Sequence, residues 1–257
     1  MTWSWRIGTW FGIQVRAHAT FGLLLAWVAG SALMDGDPIA SVLIRVAGVC
    51  TLFGLVVMHE YGHALTARHY GIRTRGITLY PIGGVAMLEG MPDNPRHELH
   101  IALAGPAVNF VLAAGLFSVS LLVGGAGSFV GLLIYANLVM GAFNLLPAFP
   151  MDGGRVLRSA LAMRMSATRA TQLATRVARG LAILMGIFGV LVPGYGMLIF
   201  IAMFVWMASG AELRAARMQA ARRAQAEIFR AASAATDAPG MQVVYGADGQ
   251  PLYVGRP

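Results

Sequence analysis

His59-Glu60-Tyr61-Gly62-His63 stands near the end of a long apolar run, and its spacing suits metal chemistry. Residues four apart on a helix share one face, so two imidazole nitrogens can reach a single zinc ion. Glu60, beside the first of them, can approach a water molecule at that ion without ligating it. One helical turn would then supply a Lewis acid, a lowered water pKa and a general base. Three ionisable side chains are costly in a lipid-crossing helix unless they have partners or water, which favours zinc binding over simple polar anchoring.

A catalytic zinc usually takes three protein ligands and keeps a fourth position for water. The chain has one cysteine, Cys50, inside an apolar run, so neither a disulfide framework nor a multi-thiolate site can form within one chain. Asp152 is the best third ligand. It follows an apolar run in Asn144-Leu145-Leu146-Pro147-Ala148-Phe149-Pro150-Met151-Asp152-Gly153-Gly154-Arg155, where two prolines and two glycines let the chain turn back. Taken without the histidine pair, Asp152-Gly153 would read as an ordinary turn. Glu89 and Glu98 rival Asp152 but lie in no comparable segment. His18, His69, His97 and His100 read as interfacial anchors, Cys50 as a small apolar filler, and Met58, Met140 and Met151 as packing.

The elements that must position these residues are membrane helices. Apolar residues make up 57% of the 257-residue chain and charged residues 12%, which excludes an ordinary soluble domain. Six stretches qualify or nearly qualify as spans: Ala17–Met34, Ile39–Ala67, Leu99–Val123, Phe129–Leu146, Gly180–Val192 and Tyr195–Ser209. The last two are short and divided only by Pro193-Gly194, so they read as a hairpin of two spans or one interrupted element. The net charge of +8 comes mostly from arginines in alternate gaps, which argues for membrane orientation and against nucleic acid. By the positive-inside rule, both termini and the two long loops face the cytoplasm, and the gaps with Asp35, Asp37 and Gly124–Gly127 face outward. Arg45 is the exception, and snorkelling to the outer face or pairing with Asp35 or Asp37 would resolve it.

Ahead of the first run, Trp3 to Arg16 is too long and too rich in aromatics and glycine for a signal-peptide n-region, and reads as ordered protein at the membrane surface. Between Ile72 and Glu89, β-branched residues and glycines predict strands with tight turns. That segment is either a cytoplasmic hairpin or a sheet edge lining a protein cavity, where an extended substrate could add as a strand. The expected fold is thus an all-α membrane protein with six transmembrane helices and a small membrane-associated β region between spans 2 and 3. Residues 1–210 would form the membrane domain, and 211–257 a cytoplasmic helix, continuing from the last span to about Ala235, and a tail that reads either as a hairpin around Asp248-Gly249 or as disordered.

Three segments together resemble the site-2 proteases, intramembrane zinc metalloproteases: the His59–His63 segment, Ala104-Gly105-Pro106-Ala107-Val108-Asn109, and Asn144 to Gly154. Tyr80-Pro81-Ile82-Gly83-Gly84-Val85 also looks like that family's membrane-associated β region. The resemblance spans roughly Ile13 to Arg158. It implies one zinc ion per chain held by His59, His63 and Asp152, with Glu60 as the base and Asn144 holding substrate through its amide. Gly105, Pro106 and Asn109 match a third-span motif with a packing or positioning role. The implied substrate is a single-span membrane protein, a transcription regulator or anti-sigma factor, cut within or near its transmembrane segment in a bacterial cell membrane, with the active site towards the cytoplasm. The chain looks like a compact six-span form without PDZ or CBS modules. A regulatory membrane partner, the terminal tails or prior trimming of the substrate would then supply gating, and the oligomeric state is open. Two rival readings stand beside this one: a zinc transporter using the same side chains as transport ligands, and a pseudoprotease that binds partners without cutting them.

Overall fold

A computed structural model describes residues 3–90, 92, 94–125, 127–236, 241–245 and 251–255. The chain opens with strands β1 (Ser4–Trp10) and β2 (Ile13–His18), then helices α1 (Ala19–Met34) and α2 (Ile39–His69). Strands β3 (Thr74–Tyr80) and β4 (Gly83–Leu88) follow. Next come α3 (Pro95–Leu122), α4 (Ser128–Asn144), α5 (Asp152–Ala162), α6 (Ala167–Leu191) and α7 (Met197–Thr236). A separate antiparallel pair, β5 (Met241–Tyr245) and β6 (Pro251–Gly255), lies beyond. It matches the expected terminal hairpin, although Asp248 and Gly249 lie outside the described residues.

Among the described residues, four helices are long and apolar enough to cross a membrane: α2, α3, α6 and, over Met197–Ala231, α7. The shorter apolar helices are α1, with 16 residues, and α4, with 17. This corrects the expectation that the last two runs would be the short ones. The Gly180–Val192 run ends a helix of 25 residues whose charged first turns had concealed its length, and Tyr195–Ser209 opens one of 40 residues that runs on past Ser209, as its composition there suggests. The division at residue 210 falls inside α7, which continues through Gly210 to Thr236.

The β region is also larger than expected. It is a four-stranded sheet in the order β1-β2-β3-β4, not confined to the segment between the second and third helices. Trp3 to Arg16, read as ordered protein, supplies half of it. β2 pairs in parallel with β3, placing Ala17 beside Leu79, and β3 pairs antiparallel with β4, placing Leu79 beside Gly84. Ile13, Val15 and Ile77 bury one face of the sheet against Ala64, Val57, Tyr61 and Leu65 of α2.

This docking explains the short first helix. β3 leaves the end of α2 and runs back beside it, so that Gly84 of β4 abuts Val56 and Glu60, and α1 begins two residues after Ala17. Val56 lies 13 residues before the end of α2, about 20 Å along the axis at 1.5 Å per residue. α1 therefore starts at the depth of Glu60 and needs only about 24 Å of helix for its 16 residues. At its other end, Arg45 lies 2.5 Å from Asp37 and 3.8 Å from Asp35, the pairing that its position called for.

α2 and α3 cross at backbone contact. A Cβ on Gly62 would stand 2.6 Å from the Ala104 carbonyl oxygen, so only glycine permits the approach. α6 and α7 form a hairpin whose alanines, Ala178, Ala182 and Ala202, pack with Val205 against Ala148 and Met151. The loop leading to Asp152 is thereby held on a firm surface, with a cis Phe149–Pro150 peptide.

Candidate metal centre

His59 and His63 lie one turn apart on α2, and both are buried. Asp152 is the first residue of α5, delivered by the loop after α4. Gly153 and Gly154 make that delivery possible. A Cβ on Gly153 would overlap the backbone of Leu145 and Leu146, and one on Gly154 would stand 2.8 Å from the Ala148 carbonyl carbon.

His59 Nε2, His63 Nε2 and Asp152 Oδ2 form a triangle with every side 3.1 Å. The rings are nearly perpendicular, at 80°. Each outer nitrogen meets an acceptor: His59 Nδ1 is 2.5 Å from Asn109 Oδ1, and His63 Nδ1 is 2.7 Å from the Ile101 carbonyl oxygen. The orientation of the Asn109 amide is itself determined, because its Nδ2 donates to Asn137 Oδ1 and Asn137 Nδ2 donates to the Leu133 carbonyl. Both Nδ1 atoms must therefore carry protons, which leaves the Nε2 lone pairs of neutral rings pointing at one another and at a carboxylate.

Three electron-rich atoms at this spacing require a cation among them, either shared protons or a metal ion. Tetrahedral zinc with bonds of about 2.0–2.1 Å separates its ligand atoms by about 3.3–3.4 Å, within a few tenths of an ångström of the triangle. Room for the ion comes from Gly105. A Cβ there would overlap the His63 ring and stand 2.7 Å from His59 Nε2. The donor set, its spacing, its outer partners and this opening all fit a metal ion, and His59, His63 and Asp152 form a group able to bind one.

Glu60 lies outside the triangle, facing β4. The Ala86 backbone amide reaches its carboxylate, and a Cβ on Gly84 would stand 2.7 Å from its Cγ. Gly105, Pro106 and Asn109, singled out in the third-span motif, are buried on α3. Asn109 does more than pack, since it orients His59. The structure does not turn Asn144 onto the triangle: its Nδ2 donates to the Met140 carbonyl at 3.0 Å, and its Oδ1 accepts no hydrogen bond among the described residues. His69, His97 and His100 gather instead around Tyr70, whose hydroxyl lies 2.6 Å from His100 Nδ1. Asn137 escaped the sequence reading. Its signal was there, an amide in the middle of an apolar run, where a polar side chain needs a partner.

Comparison with known proteins agrees with this geometry. The family model "Peptidase family M50" matches residues 47–127 and 123–187. A zinc metalloprotease of Methanocaldococcus jannaschii is 36% identical over 223 residues, covering 85% of this chain and 63% of the relative. Stage IV sporulation protein FB of Bacillus subtilis is 30% identical over 110 residues, covering 42% of this chain and 38% of its own length. The chain thus spans less than two thirds of the length of either of these relatives. Among solved structures, the site-2 protease from Methanocaldococcus jannaschii aligns with a TM-score of 0.58 at 36% identity, covering 82% of this chain and 95% of that one. The chain belongs to peptidase family M50, the site-2 protease family of membrane-embedded zinc metalloproteases.

Proposed function

We propose that this protein hydrolyses a peptide bond within or near the transmembrane segment of a membrane-bound substrate. His59, His63 and Asp152 would hold one zinc ion per chain, Glu60 would act as general base, and Asn144 would position the peptide. The observation that carries the proposal is the buried triangle of ligand atoms, its imidazoles held from behind by Asn109 and Ile101, with an acid one residue along the same helix. The bound zinc would supply Lewis acidity towards the scissile carbonyl and lower the pKa of water.

The remaining work falls to the chain. Glu60 is placed on the β4 side of the ligand pair, so a peptide lying along that strand would put its scissile bond within reach of both. There Glu60 takes a proton from the attacking water and returns it to the leaving nitrogen. Asn144 Oδ1, free of protein partners, accepts a backbone N–H of the peptide. A transmembrane helix hides its carbonyls in its own hydrogen bonds, so the substrate must unwind locally before it can lie as a strand against an open sheet edge. β4 is an edge strand, which supports the cavity-lining alternative for the 72–89 segment.

We infer a six-span arrangement in which the short helices α1 and α4 complete their crossings through β2 and through the 145–151 loop. Both termini and the metal centre then lie towards the cytoplasm, in keeping with the arginine distribution. The substrate class is a single-span regulator, a membrane-tethered transcription factor or anti-sigma factor of a bacterial cell membrane, with the lipid bilayer as the other partner.

The test is cleavage of a panel of single-span substrates by the purified full chain, with bound zinc measured in parallel. Wild type cuts, Glu60→Gln keeps its zinc and loses on the order of 10²-fold or more in rate, and Asp152→Ala loses zinc affinity. A Glu60→Gln protein that holds zinc and cuts as fast as wild type removes Glu60 from the mechanism.

A further inference from the structure

Asp152 arrives on a helix of only 11 residues, too short to hold its own orientation. Its first turn is fixed in position by the backbone contacts of Gly153 and Gly154, but carries no side chain at either residue to interlock with its neighbours. Six residues on, Arg158 extends into the junction of three helices, with its side chain only 12% exposed. One guanidinium nitrogen, Nη2, donates to Glu98 Oε1 in the first turn of α3. The other, Nη1, lies 3.5 Å from Glu212 Oε1 on α7. Both carboxylates are themselves largely covered.

A buried ion pair is seldom the most stabilising way to fill such a junction, because desolvation offsets most of the attraction. What it provides is a definite angle, since the guanidinium fork accepts carboxylates only along set directions. The angle matters here. α3, which receives Arg158 through Glu98, also carries the Ile101 carbonyl and Asn109 that orient His63 and His59. A turn of α5 by about 20° about its axis would move a side-chain atom at the ~5–6 Å helix radius by about 2 Å. Metal sites tolerate ligand displacements of roughly 0.2 Å.

We propose that Arg158 is a positioning residue for the metal centre: by bridging Glu98 and Glu212 it sets the rotation of α5, and so places the Asp152 carboxylate against His59 and His63. Through Glu212 the same bridge joins α7 to the site, so displacement of that helix would be felt as a change in metal affinity. The proposal rests on the reading of His59, His63 and Asp152 as zinc ligands.

The experiment measures zinc affinity by chelator competition on the full chain in detergent, together with thermal unfolding of the metal-free protein. The variants are Arg158→Met, Arg158→Lys, Glu212→Gln, Asp152→Ala and the double variant Asp152→Ala/Arg158→Met. Arg158→Met leaves the Glu98 and Glu212 carboxylates unpaired and so lowers the melting temperature of the metal-free protein, and at temperatures where that protein is still folded it is expected to weaken zinc binding by about 10- to 100-fold. Arg158→Lys, with a charge but no fork, should recover part of the loss, and Glu212→Gln should cost a few-fold. Because Arg158 acts through Asp152, the methionine should add nothing in the Asp152→Ala background. Wild-type zinc affinity in Arg158→Met, or an equal further loss in the Asp152→Ala background, overturns the proposal. Should Arg158→Met fail to fold, Arg158→Lys and Glu212→Gln decide the matter, and wild-type affinity in both refutes it. If Asp152→Ala alone binds zinc like wild type, the ligand reading fails first and takes the proposal with it.

Discussion

Replacing Gly105 by alanine should separate the stability of the fold from the integrity of the metal centre. The new methyl carbon would stand 2.7 Å from His59 Nε2 and would overlap the His63 ring. Ordinary contact between such atoms is about 3.4 Å or more, so at least one imidazole must retreat by about 0.7 Å, several times the tolerance of a zinc site. Both obstructing groups are side-chain tips, but each ring is buried and hydrogen-bonded from behind, to Asn109 and to the Ile101 carbonyl, so displacing it costs about 1–3 kcal/mol in unpaired polar groups. Alanine in a helix interior is meanwhile favoured over glycine by about 1 kcal/mol. The two effects have opposite signs and the first is the larger. The metal-free variant should fold and melt somewhat below the metal-free wild type, while its zinc affinity falls on the order of 100-fold or more, at least the loss expected for disturbing an outer partner. Chelator competition and thermal unfolding on the same detergent preparation give both numbers. Wild-type zinc affinity in Gly105→Ala would refute the placement of the ion in the space beside Gly105, and with it the account of why glycine is required.

Asn109→Leu keeps the volume of the side chain but leaves His59 Nδ1 and Asn137 Oδ1 without their partner, so zinc affinity measured by competition should drop by about 10- to 100-fold. Gly84→Ala pushes a methyl group to within 2.7 Å of Glu60 Cγ, and should lower the cleavage rate on the order of 10-fold or more with zinc content unchanged. An equal loss of zinc in Gly84→Ala would show that the β4 contact supports the ligands and not the base.

The histidine pair and its acid were legible because a helical repeat places them from local sequence alone. Asp152 was legible only as a candidate, since its approach depends on a loop held by α6 and α7 through Ala148 and Met151. Much of the rest depends on distant partners. Ser4–Trp10 and Ile13–His18 carry an ordinary strand pattern, but the choice of β3 as a parallel neighbour lies more than 50 residues away. The shortness of α1 follows from that pairing and could not be read from its composition. The arginines of α6 masked a continuous helix because hydropathy stops at the membrane surface while the backbone does not, whereas the alanine-rich run beyond Ser209 was legible as a continuation of α7. Arg158 read as one of the loop arginines and Glu98 as a rival ligand until the fold placed them in contact.

The metal triangle also has a consequence in time. His59 and Asp152 are separated by 93 positions in the chain. At a synthesis rate of about 5–20 residues per second, the histidines precede the aspartate by about 5–19 s. Through that interval α2 holds two imidazoles and a carboxylic acid with nothing to complete the ion's coordination. A centre whose third ligand is made after four helices is incomplete through much of synthesis, and is completed only when α5 docks and α6 and α7, made later still, hold the loop before Asp152 through Ala148 and Met151.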